Sequence, residues 1–134
     1  MAIEFTVSDV IPASPQEIYD AWLSSEGHAQ ITGGQPAEVS PKVEATFTAW
    51  DCYISGSNLK LEPGRRIVQS WRSTDFDPGD PDSQIDVLLE EVPAGTKVTL
   101  HHTNVPDGQP NYQQGWRTHY FEPMKAYFKQ AGKI

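Results

Sequence analysis

From about residue 36 to residue 102 the apolar residues recur with a period of two, broken only by short turn signals. Outside that run a single segment is long enough for a sizeable helix. Such alternation puts successive side chains on opposite faces of a pleated strand, so each strand has one apolar face that needs cover. A chain with many such strands and one long helix must lay the helix over the sheet. This requirement constrains the fold more than composition does.

Within the run, Phe47 and its neighbours form one strand, Trp50-Asp51-Cys52 marks a hairpin turn, and Tyr53 to Leu61 forms the next strand. Ser55-Gly56-Ser57 interrupts it, and glycine inside a strand often marks a bulge or bend, so the sheet is expected to curve. Pro63-Gly64 turns the chain. Ile67, Gln69 and Trp71 alternate with Val68, Ser70 and Arg72, and Ile85, Val87 and Leu89 with Asp86, Leu88 and Glu90. Pro93-Ala94-Gly95 leads into a last strand with Val98, Leu100 and His102 on one side.

Ahead of the run, Ile3, Phe5 and Val7 alternate with Glu4, Thr6 and Ser8 as in a half-buried strand. Ser14-Pro15-Gln16-Glu17 then supplies a capping box with proline at the first helical position, predicting a short helix that buries Ile18, Ala21 and Trp22. Ser24 or Ser25 caps a second short helix, which stops near Gly33-Gly34. With almost nothing between them, the two helices must form a V.

The one long helix is predicted from about Pro110 to Ala131. At one hundred degrees per residue, Tyr112, Trp116, Tyr120, Pro123, Met124 and Tyr127 fall on one stripe, with Phe121 and Phe128 on a flank. Arg117, Glu122, Lys125 and Lys129 lie mostly opposite, and Pro123 is expected to kink the rod so that it follows the curved sheet. The expected fold is α+β: a curved antiparallel sheet of about six or seven strands, two short helices after the first strand, and one long C-terminal helix across the concave face. Residues 1–134 are expected to form a single domain of ordinary size.

Acidic residues outnumber basic ones by 18 to 10, a net charge of −8, and Arg65-Arg66 is the only basic pair. Nucleic acid and anionic membrane surfaces are therefore excluded as partners. No stretch approaches eighteen apolar residues, and the start lacks both a basic and a long apolar region, so a soluble, cytoplasmic protein is expected. The lone Cys52 permits no internal disulfide and reads as a small buried hydrophobe.

Four stretches carry a family resemblance: ITGGQPAEVSP at 31–41, AWDCYISGSNLKLEPGRRIVQSWRSTDF at 49–76, GTKVTLHHTNVP at 95–106, and GWRTHYFEPMKAYF at 115–128. With the order of elements, they resemble the helix-grip fold of START lipid-transfer domains, pollen-allergen-type binders and polyketide cyclases, together called SRPBCC. More closely, the chain resembles the C-terminal domain type of the family named for the activator of the ninety-kilodalton heat-shock protein's ATPase. The family commonly has a glycine-rich stretch where this chain has Glu44-Ala45, and a glycine where Cys52 stands. The resemblance implies a cavity under the helix, a role in the stress response and a chaperone as a possible partner.

A cavity of that kind would be lined by Trp22, Trp50, Tyr53, Trp71, Leu89, Leu100, Tyr112, Trp116, Tyr120 and Met124, and entered beside the two short helices. Large aromatics also form ordinary cores, and composition does not separate the two roles. His101 and His102 point to opposite faces of a strand and do not share a metal. His101 and His119 are the side chains to inspect for a general base, though no partner carboxylate is visible. DFDPGDPDSQID at 75–86 lacks the glycine and glutamate positions of a calcium loop and reads as a solvated acidic turn.

No nucleophile elbow, phosphate loop or dinucleotide fingerprint is present. The sequence therefore favours a non-enzymatic domain binding a small apolar or aromatic ligand, with no catalytic residue, metal or cofactor, as a monomer or homodimer. A chaperone-interacting module is the alternative, and a cyclase- or hydrolase-type enzyme the third reading.

Overall fold

The computed structural model describes residues 3–106, 108 and 111–131. Six antiparallel strands form one sheet: β1 (Ile3–Ile11), β2 (Thr46–Ala49), β3 (Ile54–Glu62), β4 (Arg66–Ser73), β5 (Ser83–Val92) and β6 (Gly95–Val105). Their spatial order is β1-β6-β5-β4-β3-β2. β1 and β2 follow each other in sequence yet occupy opposite edges. The segment between them, with helices α1 (Pro15–Trp22) and α2 (Ser25–Ile31), must therefore span the sheet.

The helix signals act as expected. Ser14 Oγ accepts the Glu17 N–H at 3.2 Å and Glu17 Oε1 accepts the Ser14 N–H at 3.0 Å, closing the capping box. Ser24 Oγ caps α2 by accepting from Gly27 N–H at 3.1 Å, and Gly33 and Gly34 leave the helix at positive φ. The V is tight at its corner: a Cβ on Gly27 would lie 2.7 Å from Ala21 Cα.

Curvature has a specific source in β3. A Cβ on Gly56 would stand 1.9 Å from the Ser70 carbonyl oxygen, so only glycine lets the two strands approach there. Next to it the Ser70 hydroxyl accepts the Ser57 N–H at 2.8 Å, and the register slips between Asn58 and Lys60. A bulge of this kind bends a strand and increases its twist.

Register then builds the inner face. Phe5, His102, Ile85, Gln69 and Asn58 lie in one cross-strand row, and Val7, Leu100, Val87 and Ile67 in the next. Three of the five in the first row are polar and buried, at 0–1% exposure, so each needs a partner from above.

The cover is the C-terminal rod, in three parts: α3 (Tyr112–Trp116), a π-helical turn (Arg117–Phe121) and α4 (Glu122–Ala131). The predicted start at Pro110 lies outside the described residues. The irregularity foreseen at Pro123 takes the form of the π turn just before it, where the Glu122 N–H reaches Arg117 O, five residues back. Pro123 has no N–H to give, and a wider turn moves its ring away from the carbonyl that a regular helix would force against it. The extra residue also rotates the buried face. Tyr112, Trp116 and Tyr120 are followed inward by Phe121, Met124 and Phe128, while Tyr127 is only partly buried. Phe121 and Phe128, expected on a flank, are thus core residues. Lys125 pins the outer side to Asp9 of β1 at 2.8 Å.

Among the described residues, no helix is long and apolar enough to cross a membrane.

Candidate functional site

The rings between rod and sheet pack mainly on one another. Trp22 and Trp116 stack at 6.3 Å between centroids, Trp71 meets Tyr112 edge-on at 4.9 Å, and Trp116 lies 4.7 Å from Tyr120. Aromatic pairs in these arrangements contribute about 0.5–1.5 kcal/mol each beyond the area they bury.

Two hydrogen-bond chains satisfy the polar row beneath them, and a third holds His28 of α2. Trp22 Nε1–H donates to Gln69 Oε1 at 3.1 Å, Gln69 Nε2–H to Asn58 Oδ1 at 2.8 Å, and Asn58 Nδ2–H to the carbonyls of Ser40 and Lys42, both at 2.8 Å. Trp116 Nε1–H donates to His102 Nδ1 at 3.1 Å, so the ring proton sits on Nε2, which donates to Ser83 Oγ at 2.8 Å. Ser83 passes its own proton to Trp71 O at 2.6 Å. His28 Nδ1–H donates to Trp22 O at 2.8 Å, leaving Nε2 to accept the Tyr120 hydroxyl at 2.7 Å.

Both histidines are therefore neutral tautomers fixed by donor-only and acceptor-only neighbours. Burial depresses His28 to about 4, opposed in part by its bond to the Trp22 carbonyl. Burial depresses His102 to about 3, helped by neighbouring His101. The Tyr120 hydroxyl is shifted upward, again by burial.

One region is not filled. A cavity of about 210 Å³ is lined by Trp50, Tyr53, Ile54, Trp71, Tyr112, Gly115, Trp116, His119 and Tyr120. Ile54, Trp71, Tyr112, Trp116 and Tyr120 are buried and form its floor, while Trp50, Tyr53, Gly115 and the exposed His119 form its rim. Across the mouth, Trp50 meets the His119 imidazole edge-on at 5.2 Å.

At one end, the Tyr53 hydroxyl donates to Asp75 Oδ2, Tyr112 pairs with Ser73 Oγ at 2.5 Å, and the Asp75 N–H donates to Ser73 Oγ at 3.1 Å. Burial raises both Tyr53 and Tyr112, so the two phenols stay protonated around neutral pH. At the other end, Trp50 Nε1 is buried with no protein acceptor in hydrogen-bonding geometry, although it faces the Tyr120 oxygen closely enough to offset part of that hydroxyl's upward shift.

Of the ten residues proposed from sequence, Trp50, Tyr53, Trp71, Tyr112, Trp116 and Tyr120 come together around this space. Trp22, Leu89, Leu100 and Met124 are buried core residues away from it. The reason is packing density: over the inner rows the rings and aliphatic side chains fill the gap, and only the rod's first turns stand clear. The mouth accordingly opens between the β2–β3 turn and the rod, and no described residue of the two short helices lines it. Sequence reading missed Ile54 and Gly115 in the lining, and Ser73 and Asp75 behind it. Ile54 follows Tyr53 at a hairpin exit, a position that alternation alone places on the opposite face.

The β2–β3 turn is unusual. Trp50, Asp51 and Cys52 all have positive φ, at 52°, 54° and 70°, which makes a left-handed turn that L-residues disfavour. Cys52 is exposed there, not buried as expected, because a left-handed turn at the tip of a hairpin has no strand face to turn inward. Glu44 shares this conformation at φ 72°.

The other sequence candidates lie elsewhere. His101 is on the outer face, 2.9 Å from Glu4 and exposed. His119 reaches the cavity rim but has no carboxylate partner among the described residues. The acidic turn folds around Arg72, whose guanidinium donates to the Asp77 and Asp80 carbonyls at 3.1 Å and to Asp82 Oδ1 at 2.7 Å. Among the described residues, no group of three or more His, Cys, Asp or Glu side chains gathers as a metal site.

A curved antiparallel sheet gripped by a long C-terminal rod, with two short helices bridging its edges, defines the helix-grip architecture of the SRPBCC superfamily. Residues 12–129 match the family described as Activator of Hsp90 ATPase homolog 1-like protein, and the chain belongs to that family. A curated relative, the activator of 90 kDa heat shock protein ATPase homolog of Dictyostelium discoideum, is 25% identical over 123 residues, or 90% of this chain. The chain spans about a third of that relative's length, 32%.

Solved structures agree on the fold. An HSP90 activator from Plasmodium falciparum superposes with a TM-score of 0.81 at 22% identity, covering 96% of each chain. The Aha1 dimer from Colwellia psychrerythraea gives a TM-score of 0.75 at 17% identity, covering 93% of this chain and 96% of that one.

Proposed function

We propose that this protein is a non-enzymatic domain that binds a small hydrophobic ligand in the cavity between the curved sheet and the start of the C-terminal rod. The observation that carries the reading is the 210 Å³ space walled by six Trp and Tyr side chains with Ile54, Gly115 and His119. Water occupies about 30 Å³ per molecule, and a dry apolar cavity of about 150 Å³ is known to bind benzene. The space therefore suits a compact ligand, and a long-chain lipid is too large for it. Catalysis is not part of the reading, because the cavity histidine lacks a partner carboxylate and the two buried histidines are committed to structural bonds. The domain, residues 1–134, is taken to act in the cytoplasm as a monomer or homodimer.

A ligand that binds only the folded state stabilises it by about 2.7 kcal/mol at a hundredfold excess over Kd. Thermal-shift and native mass spectrometry with one-ring aromatics and short acyl compounds test this directly. Rising Tm with a matching mass adduct is expected. No adduct and no shift at millimolar concentration would end the reading.

The names of the relatives favour a second reading, contact with a heat-shock chaperone. This chain matches only part of the curated relative, so the contact needs its own measurement. A pull-down against the host chaperone should retain the protein, and no binding at high micromolar concentration removes the idea.

A further inference from the structure

The polar side chains around the cavity are engaged with protein partners, with one exception at the rim. The Tyr53 hydroxyl donates to Asp75, Tyr112 is paired with Ser73, and the Tyr120 hydroxyl donates to His28. The His119 imidazole lines the same space and has no hydrogen bond or ion pair among the described residues. It is nevertheless seated. The Trp50 ring stands against it at 5.2 Å and 75°, and a Cβ on Gly115, one turn earlier, would lie 4.0 Å from His119 Cδ2.

The two ends of the cavity differ in charge. Tyr112 and His119 are seven residues apart on the rod, about two turns or 10 Å. At the Tyr112 end the Asp75 carboxylate stands behind Tyr53 and repels a second negative charge. At the His119 end the lining carries no acid, and imidazole is the side chain whose charge changes between about pH 5 and 8. His119 is exposed, so an anionic head beside it keeps part of its hydration and is spared the cost of entering an apolar pocket. The floor beneath, with Ile54, Trp71 and Trp116 buried, suits an apolar ring.

We propose that the cavity takes a small carboxylic acid built on a single ring, with its ring over the floor and its carboxylate at the mouth, paired with the His119 imidazole. This assignment rests on the ligand-binding reading above. The acid enters ring first and leaves its head at the water-facing rim.

Phenylacetate and phenylacetamide have nearly the same shape and differ in charge. Each is titrated into the ¹⁵N-labelled full chain and into its His119→Phe variant, at neutral pH and physiological salt. Under these conditions the chain's net charge of −8 is screened beyond about 8 Å. Phenylalanine keeps a ring against Trp50 at an exposed position, so the variant is expected to fold. The phenylacetate-to-phenylacetamide affinity ratio should fall about fivefold in the variant, the upper range for an exposed ion pair. In the unsubstituted protein the His119 ring nitrogens should move toward the imidazolium pattern with phenylacetate and stay in place with phenylacetamide. If either compound shifts cavity resonances, an unchanged ratio or ring nitrogens that ignore the acid overturns the role of His119 while the ligand-binding reading stands. If neither compound shifts any cavity resonance at millimolar concentration, both readings fall together.

Discussion

Trp116 donates its indole N–H to Nδ1 of His102 at 3.1 Å, tying the C-terminal rod to the floor of the sheet through a histidine that is 0% exposed. The bond fixes the tautomer of His102 and so orders the next two links, to Ser83 and to the Trp71 carbonyl. Replacing Trp116 by Phe keeps a ring but orphans a buried acceptor, which costs about 1–3 kcal/mol before any loss of volume. Urea denaturation should show Trp116→Phe less stable by about 2–3 kcal/mol. Trp50→Phe, whose N–H has no protein acceptor, should lose less than about 1 kcal/mol. Equal losses at the two positions would mean that the chain through His102 contributes nothing special.

The bend in β3 leads to a second prediction. Gly56→Ala drives a methyl group into the Ser70 carbonyl, 1.9 Å away, and backbone must move to admit it. Overpacking in a rigid core costs about 1–3 kcal/mol, so the variant should fall at or above the top of that range. Gly79→Ala, with nothing within 4 Å of the new carbon, is the control and should be neutral to within about 0.5 kcal/mol. A neutral Gly56→Ala would show that the strands separate freely and that the glycine is not what sets the curve.

These particulars show which parts of the molecule were legible in the sequence. Ser14 and Glu17, Ser24, Gly33-Gly34, Pro63-Gly64 and Gly56 act locally, through caps, turns and steric exclusion, and their outcomes follow from short windows of sequence. Alternation likewise put Gln69, Trp71, Leu100 and His102 on the inner face. The rod was less legible, because a π turn inserts one residue and moves every later position around the axis; a fixed hundred-degree wheel therefore left Phe121 and Phe128 on a flank. The site was legible in its residue types but not in its extent. Whether Trp22 or Met124 lines a space or fills it depends on the fit of all neighbouring rings, a property of packing that no single spacing encodes. Cys52 failed for another reason: alternation was extended into a left-handed turn where it has no meaning.

That turn yields a prediction of the opposite sign. Cys52 and Glu44 hold φ near 70°, where a Cβ costs about 1–2 kcal/mol per residue. Glycine recovers this but adds about 0.5–1 kcal/mol of unfolded-state entropy. Cys52→Gly should therefore stabilise the protein by up to about 1 kcal/mol, and Glu44→Gly similarly, both read from the denaturation midpoint. Loss of more than about 0.5 kcal/mol in either would show that the side chain makes contacts outweighing the strain. An effect confined to ligand affinity, with stability unchanged, would instead locate the role of the turn in how it presents Trp50 to the cavity.

The two buried histidines set the response to acid. Burial holds His28 at about 4 and His102 at about 3 in the folded state, both below the value of about 6.5 expected in an unfolded chain. With the folded values depressed, the unfolded state binds protons that the folded state refuses. Stability from these groups is whole above about pH 6.5 and is lost as pH falls toward 4 and 3. Between those limits each histidine removes about 1.4 kcal/mol per pH unit. Carboxylates that favour the folded state act in the same direction at lower pH, so the test is a difference in slope. His28→Gln keeps a donor and an acceptor near Trp22 O and Tyr120 but does not titrate. Its loss of stability between pH 6 and pH 5 should be smaller than that of the unsubstituted protein by about 1 kcal/mol. Identical slopes for the two proteins would remove His28 from the acid response.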